Sequence, residues 1–288
     1  YGPKSYFTDK LSEAELKAIN PQELVDLIKG FASYKHGFFY YGPDSQKKVM
    51  KMLKKLKMPK TLKEVPAQVE YAELPMDKPT VYFADYDMVQ AEFMLLAKDN
   101  VFDPSLLPVQ TMFNSYYGAG MNSIVFQEVR EARGLAYTAF AFVNNPYRKG
   151  LSDYIINYVG TQSDKMVASI ELMKELLTNM PQSEQAFALS KEYVLNNIRS
   201  SRLTKSNIFW TYMWQKDMGV DTHFERNKFI FEQVEKMNLP DIQKFFDSHI
   251  KPARYSIILV GKRGKIDFNY LKRIADVKDI GLTELFGY

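Results

Sequence analysis

The sequence predicts an α+β fold in which an antiparallel sheet carries helices on one face. First, 46% of the 288 residues are apolar, which is enough for a substantial core. Second, the strand-like segments are short and rich in β-branched and aromatic residues. Third, strand-like and helix-like segments come in blocks rather than in strict alternation, which favours an α+β layer over a parallel α/β fold.

The elements of this layer begin at residue 80. Residues 80–87 and 88–97 are separated by a tight polar turn, so we predict two paired strands. A helix follows, with Asp103 as its cap and Pro104 at its first position. Further strands are predicted over residues 135–143, 152–161 and 254–261. Further helices are predicted over residues 122–133, 163–179, 183–203, 206–218, 223–236, 239–248 and 267–275.

Residues 64–79 divide the chain. They contain three prolines and four acidic residues without helical periodicity, which indicates an extended linker. Residues 80–288 then form a complete C-terminal domain, whereas residues 1–63 are too short to be one.

The two ends of the chain resemble each other, which explains the short first region. Residues 19–42 can be laid on residues 238–261, since each has an Asn and Pro opening a helix, a basic turn, a strand and a closing Gly. The corresponding apolar helix faces are Leu24, Leu27 and Ile28 in the first copy and Ile242, Phe245 and Phe246 in the second. We therefore predict that residues 1–63 are the C-terminal remnant of an upstream homologous domain, and that the chain starts inside a larger protein.

The amino-acid composition excludes several classes of catalytic and binding site. The absence of cysteine removes thiolate nucleophiles, disulfides and thiolate metal sites. The net charge of +4 does not by itself indicate nucleic acid, and no apolar run approaches the roughly 20 residues needed to cross a bilayer. We expect neither nucleic acid nor a membrane as partner, and a soluble protein, with the bacterial periplasm as the expected compartment.

The positive charge is concentrated in residues 47–63, which contain eight lysines. Apolar residues recur among them at helical spacing, namely Val49, Met50, Leu53 and Leu56. The favoured interpretation is a surface helix with solvated lysines and a packed apolar stripe. The alternative is a helix that binds a polyanion or a membrane surface.

A metal site is not predicted in this chain. No H-x-x-E-H or H-E-x-x-H pattern is present, and His36, His223 and His249 lie far apart without a ligand at helical spacing. We interpret all three as surface or helix-end histidines. Likewise, Gly118 and Gly120 lack the rest of a phosphate-binding motif, so we predict a plain turn that lets Asn122 or Ser123 cap the next helix.

Two residues, Arg130 and Tyr137, are candidates for binding a substrate. Arg130 lies in the last turns of the helix that Gly134 ends, and Tyr137 begins the next strand. A chain that turns back at Gly134 could bring guanidinium and phenol together, where they could hold a peptide carbonyl or stabilise an oxyanion. The alternative is that Arg130 pairs with a neighbouring Glu and Tyr137 is a cross-strand aromatic residue.

Residues 118–137, GAGMNSIVFQEVREARGLAY, resemble a segment of the insulinase-type (pitrilysin) zinc peptidases, including the mitochondrial processing peptidase branch. The matching positions are Phe126, Arg130, Gly134, Leu135 and Tyr137. The resemblance extends over residues 80–288 and, less closely, over residues 1–63. It implies a processing-peptidase-like α+β domain in the half of such an enzyme that lacks the zinc motif.

The resemblance also implies a role for the pair. In this family an Arg and a Tyr seven residues apart complete an active site from the half opposite the zinc, and Arg130 and Tyr137 match them. We therefore expect the C-terminal part of a metalloendopeptidase, inactive alone, with zinc bound by an N-terminal half in the same or another chain, and with a peptide or unfolded polypeptide as substrate. The alternative is a non-catalytic scaffold or assembly subunit of the same fold.

Overall fold

A computed structural model describes residues 1–286 except 3, 57, 58, 60, 202, 203 and 222, and without the side chains of 206, 282 and 286. The chain divides into two compact units. The first comprises Tyr1–Glu73, Thr204–Phe209 and Thr283–Tyr288, and the second comprises Leu74–Leu203 and Trp210–Leu282. The change from one unit to the other at Glu73 falls within the segment predicted as a linker.

The second unit is built on a six-stranded sheet. Its strands are β1 (Thr80–Asp85), β2 (Gln90–Val101), β3 (Ala136–Asn144), β4 (Ser152–Gln162), β5 (Ser256–Gly261) and β6 (Asp276–Asp279). They lie in the order β3-β4-β2-β5-β1-β6. β3, β4, β2 and β5 are joined by antiparallel pairings, whereas β1 is parallel to both β5 and β6. The predicted α+β class is confirmed, and the sheet is mixed because of β1.

The predicted pairing of the first two strands is wrong. Both strands form, but β5 lies between β1 and β2 and pairs with each of them. The connection after β1 crosses the end of β5, where the amide of Tyr86 donates to the carbonyl of Gly261. A short polar turn looks the same whether it joins neighbouring strands or spans one more strand, since neighbouring strands are only about 4.8 Å apart.

The chain also has twelve described α-helices. They are α1 (Glu13–Ala18), α2 (Pro21–Gly30), α3 (Gln46–Leu53), α4 (Leu107–Phe113), α5 (Ile124–Phe126), α6 (Met166–Thr178), α7 (Glu184–Ser200), α8 (Lys205–Met218), α9 (Arg226–Lys236), α10 (Leu239–Phe245), α11 (Phe268–Ile274) and α12 (Leu282–Phe286). Three of them, α4, α5 and α10, continue as π-helical segments over Asn114–Gly118, Gln127–Ala132 and Phe246–Ile250. Of the described helices, none has the length and hydropathy that spanning a bilayer requires.

The core of the second unit lies on one face of the sheet. Along β2 and β4 the side chains alternate between buried and half-buried, as the period of a strand requires. The buried face joins the helices in one cluster, which includes Phe83, Phe93, Met112, Met173 and Phe246. The opposite face stays half-exposed at its aromatic residues, where the rings of Phe140 and Tyr158 stack 4.8 Å apart.

The π-helical end of α4 closes against β3, which is an edge strand. Asn114 donates from its side-chain nitrogen to the carbonyl of Val143 (3.0 Å) and accepts from the amide of the same residue (2.7 Å). Gly118 lies so close to Ala141 that a Cβ atom on residue 118 would be less than 3.0 Å from the carbonyl oxygen of Ala141, a distance that real Cβ atoms essentially never show. The side chain of Asn114 thus takes the place of a neighbouring strand at this edge.

The first unit exposes the helix face that corresponds to core in the second unit. Asn20 and Asn238 both cap their helices as predicted. However, the apolar face of α2 is exposed, with Leu24 at 47%, Leu27 at 55% and Ile28 at 64%, whereas Ile242, Phe245 and Phe246 of the second copy are at most 4% exposed.

The strand expected near residues 36–41 does not form, and the only β-bridge described there joins Tyr34 to Lys63. An isolated strand without a sheet neighbour has nothing to pair with.

The lysine-rich helix is shorter than predicted. α3 ends at Leu53, and residues 57, 58 and 60 lie outside the described residues. Its predicted packed stripe is wrong in part, because Met50 and Leu56 are 46% and 49% exposed. Lys48 pairs with Asp44 one turn earlier. Binding of a polyanion through this segment stays a prediction.

Candidate functional site

The helix that carries Arg130 starts at a serine cap. Gly120 has a positive φ of 98°, and the hydroxyl of Ser123 donates to its carbonyl at 2.8 Å. The same hydroxyl oxygen accepts from the amide of Phe126 at 3.4 Å. The predicted turn with Ser123 as cap is therefore confirmed, and Gly120 adopts a conformation that favours glycine.

The helix widens before it ends. Gln127–Ala132 is π-helical, and Gly134 has a φ of 55°. The amide of Gly134 donates to the carbonyl of Arg130 and the amide of Leu135 donates to that of Val129, both at 3.0 Å. A left-handed glycine is a common helix terminator, so the predicted reversal of the chain at Gly134 is confirmed.

The backbone carbonyls of the turn at Gly134 and Leu135 accept hydrogen bonds from two side chains at and after the end of β4. The hydroxyl of Thr161 at the end of β4 donates to the carbonyl of Leu135. The ammonium group of Lys165 donates to the carbonyl of Gly134 at 3.1 Å. The turn between helix and strand is therefore fixed at Leu135 to the end of β4 and at Gly134 to the segment that follows β4.

Tyr137 occupies a β-bulge at the start of β3. Ala136 pairs with Thr161 and Thr138 pairs with Gly160, so Tyr137 is the extra residue between two consecutive pairs. A bulge redirects the side chain of its extra residue, and here Tyr137 is 74% exposed. Sequence reasoning placed Tyr137 on the strand but missed the bulge, because a bulge has no marker in residue type at this position.

Arg130 and Tyr137 are brought together. The central guanidinium carbon of Arg130 lies 5.2 Å from the ring centroid of Tyr137 and 4.9 Å from that of Phe126. Its Nε is 3.5 Å from the carboxylate of Glu131, and the side chain remains 40% exposed. Both aromatic contacts are within cation–π range, so the guanidinium is oriented while it stays open to solvent.

The residues of this site do not form a metal centre. Among the described residues, no group of three or more His, Asp or Glu side chains is placed to hold a metal ion. His36 lies in the first unit and is exposed, with its Nδ1 2.6 Å from the carbonyl of Tyr34. His223 is also exposed. The donor set of the residues that the structure describes therefore does not fit a zinc ion.

His249 differs from the expectation of a surface histidine. It lies in the π-helical end of α10, as the helix-end alternative predicted, but its side chain is only 15% exposed. Its Nδ1 is 2.8 Å from the carboxylate of Asp99, and its ring stacks on Phe245. This is a structural contact on the core side of the sheet.

A buried carboxylate lies beside that contact. Asp153 is 2% exposed, and burial raises its pKa, while hydrogen bonds from Asn145 and Gln110 act in the opposite direction. Those donors lie at 3.0 Å and 2.7 Å. The donors satisfy both oxygens of the carboxylate, so this network holds the loop after β3 to α4.

Comparison with known proteins matches more than half of the chain to one protein family. A family model described as the peptidase M16 inactive domain matches residues 35–192, more than half of the chain. The matched segment begins in the first unit, includes Arg130 and Tyr137, and ends in α7. A curated relative, the non-peptidase homolog YmxG of Helicobacter pylori, is 26% identical over 154 residues, which are 51% of this chain and 34% of that protein.

Solved structures share the fold. A peptidase M16 inactive domain from Pseudomonas fluorescens aligns with a TM-score of 0.58 and 16% identity over 70% of this chain and 47% of its own. A conserved protein from Enterococcus faecalis gives 0.60 and 15% over 78% and 51%, and a protease from Helicobacter pylori gives 0.58 and 15% over 75% and 53%. The chain thus spans about a third of the curated relative and about half of each of these structures.

Proposed function

The chain belongs to the family of peptidase M16 inactive domains, and from this premise we propose that it is the substrate-positioning half of a peptide-binding assembly. The observation that carries the proposal is the contact between Arg130 and Tyr137, which the bulge and the glycine-ended helix present together to solvent. In this proposal the two side chains hold the backbone of a bound peptide.

The chemistry of the pair supports this role. A guanidinium has five N–H donors and a phenol has one, and both suit a carbonyl oxygen. The rings of Phe126 and Tyr137 restrict the guanidinium of Arg130, so less conformational entropy is lost when it binds. Donors already in place are also those that best stabilise negative charge developing on a carbonyl oxygen.

The finer proposal is that the assembly hydrolyses peptides. Because the described residues offer no metal centre, we assign zinc to an N-terminal zinc-bearing half, in the same chain or in a separate subunit. Within this chain, Arg130 and Tyr137 bind and orient the scissile carbonyl, and the chain alone is inactive. The bacterial periplasm stays our prediction for its compartment.

The test measures peptide hydrolysis by this chain mixed with a zinc-bearing half, or by the protein that contains both. We expect Tyr137→Phe and Arg130→Ala each to lower kcat about 10² to 10³-fold, because each variant loses a donor to the transition state. Tyr193→Phe is the matched control, since Tyr193 is 65% exposed on α7 and has no role in the site. Unchanged kcat in Tyr137→Phe would refute the assigned role.

A second candidate function is a scaffold or assembly subunit. It is favoured by the curated relative, whose description is that of a non-peptidase homolog. It predicts that the complete assembly, with zinc added, hydrolyses no peptide but that this chain still forms a stable complex with its other half. Peptide cleavage that requires Tyr137 would rule it out.

A further inference from the structure

A cavity in the second unit opens where β1 and β5 begin. Its volume is about 490 Å³, and its lining includes Thr80 and Ile257 from these strands. The floor is apolar and belongs to the core, since Leu95, Leu177 and Ile257 are 2%, 4% and 5% exposed. The volume is within the usual range of roughly 300 to 1,000 Å³ for small-molecule sites.

The rim of this cavity is cationic. Lys174 at the end of α6, Lys251 before β5 and Arg273 at the end of α11 all line it and are exposed. No Asp or Glu belongs to the lining, every residue of which is described. Long basic side chains with charged heads in water and stems along an apolar wall are suited to bind the charged end of an amphiphile.

Of the three cations at the rim, only Lys174 has a carboxylate partner among the described residues. Glu171 is 3.2 Å from Lys174 and also accepts from the hydroxyl of Tyr270. For Lys251 and Arg273, no carboxylate lies within ion-pairing distance among the described residues. The guanidinium of Arg273 instead lies 5.9 Å from the ring centroid of Tyr270.

We propose that this cavity binds a carboxylate attached to an apolar body. The body would lie on Leu95, Leu177 and Ile257, and the carboxylate would lie between Lys251 and Arg273. Arg is suited to bind a carboxylate with two parallel hydrogen bonds. This chemistry is shared by a fatty acid and by the free C-terminus of an apolar peptide, and the site is independent of Arg130 and Tyr137.

The test is calorimetric titration of the full chain with decanoate and, separately, with N-acetyl-trileucine that has a free C-terminus. We expect at least one of the two to bind, and the one that binds identifies the source. Decyltrimethylammonium has the same tail as decanoate with the opposite charge, trileucine amide lacks the peptide carboxylate, and acetate lacks the tail. All three should bind at least about tenfold more weakly. Binding of decyltrimethylammonium as tight as that of decanoate would overturn the proposal, as would the absence of binding by both carboxylates.

Substitutions locate the site. The double variant Lys251→Gln, Arg273→Gln should weaken carboxylate binding about tenfold, because both cations that would pair with the carboxylate are removed while their surroundings stay exposed to solvent. Lys272→Gln is the matched control, since Lys272 is an exposed cation on the same helix but does not line the cavity. Equal weakening by the control would show general attraction to positive charge and would overturn the proposal. Circular dichroism of each variant confirms that the fold is intact.

Discussion

Two isoleucines, one on each of the helix faces that the predicted repeat aligns, offer a direct test of how differently those faces are packed. Ile242 on α10 is 0% exposed, whereas Ile28 on α2 is 64% exposed. We compare Ile242→Ala with Ile28→Ala, so that the chemistry of the change is the same. The difference in unfolding free energy then reports the surroundings of each side chain.

The expected magnitudes differ several-fold. Truncating a buried Ile to Ala costs about 2–5 kcal/mol, because the apolar burial is lost and a cavity is left. For Ile28, about two thirds of the side chain already lies in water, so the lost burial is at most about 1 kcal/mol. The higher helix propensity of Ala offsets part of that loss by up to about 0.7 kcal/mol. We therefore expect at least about 2 kcal/mol for Ile242→Ala and within about 0.5 kcal/mol for Ile28→Ala.

The assay is urea unfolding followed by two signals. Both tryptophans, Trp210 and Trp214, belong to the second unit, so fluorescence follows that unit, while circular dichroism follows the helices of both. With a slope of about 2–3 kcal/mol per molar urea, Ile242→Ala should lower the fluorescence midpoint by about 1–2 M. Ile28→Ala should leave both transitions in place. A loss for Ile28→Ala as large as that for Ile242→Ala would refute the reasoning, because it would require the face of α2 to be buried.

Two further substitutions test contacts in the second unit. Gly118→Ala should lower the unfolding free energy by more than about 1 kcal/mol in the same urea assay, because its Cβ would overlap the carbonyl of Ala141; a neutral result would mean that the two segments separate easily. Tyr270→Phe should raise the pKa of Glu171 towards 4.5 in an NMR titration, because the hydrogen bond from Tyr270 is the main cause of its lowered pKa. A group with a lowered folded pKa stabilises the fold above its unfolded pKa, and this contribution is lost as the pH falls through the folded pKa. The stability difference between wild type and variant should therefore shrink as the pH falls through this range, and a difference that does not change with pH would contradict the assignment.

Local signals in the sequence predicted local structure well. The caps at Asn20, Asp103, Ser123 and Asn238 form as expected, because a side chain that binds an amide two or three residues away depends on little else. The neighbours of β1 were not predictable in this way. They are set by which apolar faces meet, and β5 lies some 170 residues further along the chain, so nothing in the turn after β1 indicates it.

In the candidate site, too, the local features were predictable from the sequence and the long-range contacts were not. The positions of Arg130, Gly134 and Tyr137 predicted that the chain would turn back and bring the two side chains together, and the geometry agrees. The bulge at Tyr137 and the contact with Phe126 depend instead on the register of β3 against β4 and on a widened helix. Register is a property of two strands together, which a single segment of sequence does not contain.

The side chain of Asn114 has a consequence for the behaviour of the protein at high concentration. A bare edge strand is a template on which a second molecule can add a strand, and repetition of that step leads to aggregates. Because one amide side chain binds both backbone groups of Val143 and Gly118 covers the carbonyl of Ala141, a second molecule cannot pair with β3 at these two residues. Under the proposed function, the domain would present the first residues of this strand to a peptide without offering Ala141 and Val143 to its own copies.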